Sequence, residues 1–158
     1  MHVSWSYAPT CHSFALFAED FLTAMDPVSQ LRASLLPILQ DLQQELGRKH
    51  PDVTTNIFDW PVGELTSWQG HDLGIECTFS DVAPEQPDHV VLSVSLKHLH
   101  EAPSIHSADV VWADGTVEAS VLPESVEFSP DCLAGLIERI PELSDALRQT
   151  IRRGRPVA

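Results

Sequence analysis

One stripe of leucines limits what this chain can fold into. Leu31, Leu35, Leu39, Leu42 and Leu46 follow Val28 at three- and four-residue spacing, which lines them up along one side of a helix. Asp26 stands before the stripe as an N-cap, Pro27 takes the first helical position, and Gly47 is the expected stop. Pro37 lies inside the stripe and is expected to kink the helix, because it removes a backbone donor and crowds the carbonyl of Ala33. A helix this apolar along one side cannot stand alone in water. Its stripe has to be matched by an apolar face elsewhere in the chain.

Strands supply that face. Val53 to Trp60 reads as a strand whose facing stays open. Leu73, Ile75, Cys77 and Phe79 alternate inward along the next, and Val90, Leu92, Val94 and Leu96 along a third. Asp114-Gly115 joins Val110-Val111-Trp112-Ala113 to Thr116 through Val121 as a hairpin. A two-residue type I′ turn is expected there, with positive φ at both central residues, Trp112 opposite Val117 and Val110 opposite Ala119. Ser129-Pro130 then caps a helix carrying Leu133, Leu136, Ile137 and Ile140. Pro141 is expected to divide it from a last helix with Leu143, Leu147 and Ile151.

The fold class that follows is α+β: an antiparallel meander of about five strands with an N-terminal helix and C-terminal helices packed on one face. Residues 26–154 are expected to form one domain, followed by a tail over 155–158. Residues 1–25 read as an extension or a short helix, in which Ser13 precedes Phe14, Phe17, Phe21 and Met25 at helical spacing.

Charge and cysteines narrow the partners and the setting. Asp and Glu number 23 against 9 Lys and Arg, a formal net charge of -14 that repels phosphate backbones and anionic headgroups. Nucleic acid and membranes are therefore not expected as partners. The basic group Arg148, Arg152, Arg153 and Arg155 falls at the end of the last helix, where cations complement the negative end of the macrodipole; an anion site is the alternative reading. Cys11, Cys77 and Cys132 lack the paired short spacings of zinc knuckles or disulfide frameworks, so a reducing cytoplasm is expected. The apolar run from Phe14 to Phe17 has no Lys or Arg before it and is broken by Glu19 and Asp20, unlike a signal or transit peptide.

Two segments carry candidate sites. The stretch from Asp59 to Asp72 reads as a long connection holding Trp60 and Trp68, half of the chain's four tryptophans. Trp60 and Trp68, with Glu64, His71 and Asp72, could anchor a cationic partner; the alternative is that both indoles fold back as a lid over the core. The second segment is His98-Leu99-His100-Glu101, followed by His106 and Asp109. In a continuing strand His98 and His100 share a side, a spacing that can present two imidazoles to one metal, with His106 or Asp109 as further ligands. A bulge near Lys97 would instead leave both histidines in water. Cys132, in the first turn of a helix, reads as a buried packing residue more readily than as a nucleophile, since Asp131 beside it opposes a thiolate.

No phosphate-cradling glycine loop, Gly-x-Ser-x-Gly elbow or zincin helix is present, so no catalytic residue and no cofactor is assigned. The leading expectation is a non-enzymatic protein-binding module for a basic or amphipathic partner. A metal-binding or hydrolytic enzyme built on His98, His100 and His106 is the alternative, and the oligomeric state stays open, a homodimer included. In size and acidity the chain resembles immunity proteins that neutralise basic toxins. Its order of long helix, three strands, two strands and final helix resembles that of type III secretion chaperones. Those chaperones place a helix between the third and fourth strands, where this chain has Glu101-Ala102-Pro103-Ser104, a poor helix former.

Overall fold

The computed structural model describes residues 26–62, 69–98 and 102–154. The expected extension over 1–25 and the tail over 155–158 lie outside the described residues. The elements run α1 (Pro27–Lys49), β1 (Val53–Val62), β2 (Gln69–Phe79), β3 (His89–His98), β4 (Ser104–Trp112), β5 (Val117–Ser120), β6 (Val126–Glu127) and α2 (Pro130–Arg153). Strands β1 to β5 form an antiparallel meander in sequence order, and the two-residue β6 pairs with β4 beyond the end of β5. This is the expected α+β architecture, with helices on one face of one sheet.

Both helices begin as their caps dictate. Asp26 Oδ1 accepts from the Ser29 amide at 2.9 Å, and Ser129 Oγ accepts from the Cys132 amide at 3.0 Å, each with proline in the first helical turn. The whole leucine stripe of α1 is buried, and it meets Leu73, Ile75 and Cys77 of β2 with Val90, Leu92 and Val94 of β3 in one core. α1 lies over β1 and β2, while α2 lies over β3, β4 and β5. No helix among the described residues is long and apolar enough to cross a membrane.

Three local expectations are corrected. Helix α1 does not stop at Gly47 but runs to Lys49, where the His50 amide caps the Leu46 carbonyl. Pro141 does not divide the C-terminal segment: α2 is one helix through it, as α1 is through Pro37. Each proline faces solvent, where a carbonyl left without its donor can meet water. Leu35 and Leu39 around Pro37, and Ile140 and Leu143 around Pro141, are fully buried, so core packing holds the helices continuous against a local cost of ~3 kcal/mol.

The third correction is the β4–β5 turn. Of its central residues only Gly115 has positive φ, at 91°; its amide donates to the Trp112 carbonyl, and the Trp112 amide to Thr116. That is a three-residue loop with glycine in the left-handed position, and Asp114 Oδ1 accepts from the Thr116 amide at 2.9 Å. Val110 pairs with Ala119 as expected, but Val111 rather than Trp112 stands opposite Val117, because Glu118 is an extra, bulged residue. A Cβ at Gly115 meets nothing within 4 Å, so substitution there tests backbone conformation alone. Gly115→Val is expected to cost about 1 to 3 kcal/mol in urea unfolding and Gly115→Asn clearly less, since asparagine tolerates left-handed φ.

Candidate functional site

Strand alternation divides the sheet into two unlike faces. Val53, Ile57, Leu73, Ile75, Cys77 and their neighbours face the helices. Residues one step out of phase face away from them. Across β1 to β4 they form cross-strand rows: Trp60, Asp72, Ser95 and Ser107 in one, Phe58, Gly74, Ser93 and Asp109 in the next, Asn56, Glu76, Val91 and Val111 in a third. Most of these residues are half-buried or exposed, and among the described residues no helix covers this face.

The aromatic corner of this face depends on a glycine. Phe58 lies over Gly74, where an added Cβ would sit 2.1 Å from the Leu92 carbonyl oxygen and 2.6 Å from the Phe58 ring. With no side chain in that place the Phe58 ring settles onto the sheet, 8% exposed, and Trp60 stacks on it with centroids 4.8 Å apart. Trp60 itself keeps 50% of its surface exposed. Beside it Asp72 accepts a 2.6 Å hydrogen bond from Ser95 Oγ, which fixes one carboxylate oxygen. Glu76 and Asp109 add two more carboxylates to the face, where Lys97 is the one Lys or Arg among the described strand residues.

The long connection expected between Asp59 and Asp72 is largely strand. Trp60 pairs with Asp72, Pro61 with His71 and Val62 with Gly70, leaving 63–68 as the connection. Glu64 and Trp68 fall there, outside the described residues. Trp60 is no lid over the core, since it stands on the face away from the helices. His71 and Asp72, adjacent in sequence, point to opposite faces.

On the helix side His71 is buried, with Nε2 donating to Asp59 Oδ1, while Arg32 of α1 donates to Asp59 Oδ2 at 2.8 Å. Burial alone would raise the Asp59 carboxyl, but the hydrogen bonds from His71 and Arg32 outweigh it and hold the group below its ordinary value. A cavity of about 100 Å³ opens beside His71, lined by Pro27, Val28, Leu96, Lys97 and Pro103. It is well below the roughly 300 Å³ at which small-ligand sites begin. The Arg32–Asp59–His71 chain ties α1 to the first hairpin and reads as structural.

The histidine segment is only partly described. His98 closes β3, and His100 lies outside the described residues. The irregularity near Lys97 falls on β4: Ser95 pairs with Ser107 and Leu96 with Ile105, so His106 is the extra residue and is exposed. Asp109 stands on the outer face opposite Ser93. Among the described residues no group of three His, Cys, Asp or Glu side chains converges as metal ligands do. Burial, with the charge of Glu76 beside it, pushes the Cys77 thiol up to about 12, far from a reactive thiolate. Cys132 packs half-buried against the core.

Sequence reasoning missed Phe58 and Gly74. Their signal is strand parity: once β1 reaches Val62, Phe58 and Trp60 share a face, and the glycine opposite gives them room. No family model, curated protein or solved structure matches the chain.

Proposed function

We propose that the chain is a protein-binding module that takes a basic or amphipathic partner on the open face of its sheet, with Trp60 as the anchor. One observation carries this reading: a tryptophan with half its surface in water, held rigid by a stack on Phe58 and bordered by Asp72 on an acidic face. A large apolar side chain fixed in place loses little entropy on binding, and tryptophan is enriched among residues that dominate interface energies. The net charge of -14 supports a cationic partner, because it speeds encounter with one and repels anions. A cytoplasmic setting belongs to the same proposal, as Cys77 and Cys132 are both free thiols.

The test compares immobilised wild-type protein with Trp60→Ala against lysate of the source cell, followed by titration of the recovered partner. Trp60→Ala is expected to weaken capture at least about tenfold while lowering folding stability by only about 1 kcal/mol, the worth of an exposed aromatic stack. Association should slow as salt rises. Equal recovery by both proteins, with equal affinity, removes the support for this reading.

A further inference from the structure

The fold brings the basic end of the last helix against the basic end of the first. Helices α1 and α2 end at the same end of the molecule, where Glu45 and Arg148 meet across 103 residues of sequence. Between those ends lies a groove of about 320 Å³ lined by Leu46, Lys49, His50, Arg148 and Arg152. Arg48 and Arg153 lie in the last turns of the same two helices. A chain with 23 acidic residues therefore places three of its nine lysines and arginines, Lys49, Arg148 and Arg152, in the wall of one groove.

Cations at helix C-termini ordinarily answer the exposed carbonyls, and this accounts for part of the cluster. It does not account for how the side chains are used. Arg148 is locked in place by both oxygens of Glu45, at 2.8 to 3.2 Å, and by Asp145 at 2.7 Å. Lys49 also reaches Glu45, whose carboxyl is pulled down to about 2, first by the Arg148 hydrogen bonds and then by Lys49. Arg153 is taken by Glu118. Arg152, on the groove wall, has no carboxylate partner among the described residues, whereas Arg32, Arg139, Arg148 and Arg153 each have one. In the groove wall Lys49 and Arg148 are paired with Glu45 and Asp145, which leaves Arg152 as a positive charge with no carboxylate partner among the described residues.

We propose that this groove is a binding site for a small multivalent anion bearing phosphoryl or carboxylate groups. Arg152 provides the free guanidinium fork, with Lys49 and the pinned Arg148 as fixed positive charge beside it. Planar guanidinium groups match both oxyanion types with paired hydrogen bonds, so the shared chemistry is that of the oxyanion. The volume fits a small molecule, and the net charge of -14 disfavours an extended polyanion such as nucleic acid. The groove lies on the helix side of the sheet, so it is independent of the Trp60 face.

Calorimetric titration with sodium pyrophosphate and with sodium citrate, at ionic strength held constant by chloride, tests the proposal. Saturable one-to-one binding of pyrophosphate alone assigns phosphoryl chemistry, of citrate alone carboxylate chemistry, and of both the shared oxyanion. Arg152→Gln removes an exposed side chain with no carboxylate partner among the described residues, so its melting temperature should match wild type while affinity falls at least about tenfold. Lys49→Gln should weaken binding less. Neither anion binding above the chloride background, or unchanged affinity in Arg152→Gln, overturns the proposal.

Discussion

Trp112→Ala is expected to lower the unfolding free energy by about 3 to 5 kcal/mol, the range for truncating a buried aromatic side chain. Trp112 is 1% exposed and stacks on Phe79 of β2 with centroids 5.6 Å apart, so its loss leaves a cavity in the core. The indole also has a polar role. Its Nε1 donates to Glu118 Oε1 at 2.7 Å, and Glu118 Oε2 accepts from Arg153 at 2.7 Å, which joins the β4–β5 hairpin to the last turn of α2. The Arg153 hydrogen bond holds the Glu118 carboxyl below its ordinary value against the opposing effect of burial, and the indole N–H adds to it. Trp112→Phe keeps a ring on Phe79 but loses the N–H and part of the indole's volume, so it should cost less than Trp112→Ala, about 1 to 3 kcal/mol. Urea unfolding of the two variants measures how much of the cost the ring kept on Phe79 recovers. Equal costs would mean that a phenyl ring at this position recovers none of the packing.

The second large effect is expected at Gly74. Gly74→Ala places a methyl group where the Leu92 carbonyl and the Phe58 ring already stand, inside the central part of a paired strand. Neither contact yields cheaply, because the carbonyl belongs to the neighbouring strand's backbone. Overpacking of this kind costs about 1 to 3 kcal/mol, and the backbone contact puts this case at the upper end, a fall in melting temperature of about 6 to 12 °C. The Phe58 ring must also lift from the sheet and carry its stacking partner Trp60 with it. A changed tryptophan emission spectrum in the folded variant is therefore expected alongside the lost stability. Wild-type stability in Gly74→Ala would show that the two strands can part without cost.

These two positions show different degrees of legibility. Trp112 stood on a strand with an apolar face, so its burial followed from alternation, while its bond to Glu118 followed from a bulge that alternation does not reveal. Gly74 lay in a strand already read as alternating, but its purpose depends on which residue of β1 lies opposite. The sequence hides that pairing, because Trp60-Pro61 and the following Gly63 resemble turn signals where β1 in fact continues to Val62. The site residues His71 and Asp72 separated for the same reason: in a loop neighbours can act together, whereas in a strand they face opposite ways.

What the sequence by itself determined is what depends on local period and caps. The stripe of α1, the inward faces of β2 and β3, the starts of both helices at Asp26 and Ser129, and hence the α+β class all follow from spacings of two and about 3.6 residues. The tertiary structure decided whatever depended on energies gathered from elsewhere in the chain. Core contacts around Ile140 and Leu143 outweighed the local cost of Pro141 and left one helix where two were expected. Sheet pairing carried β1 on to Val62 and began β2 at Gln69, and it set the Trp60 indole on the open face. Packing of the two helices brought Lys49 and Arg152 to one groove from opposite ends of the sequence, an arrangement no local pattern encodes because it is fixed by the buried stripes on the helices' other sides.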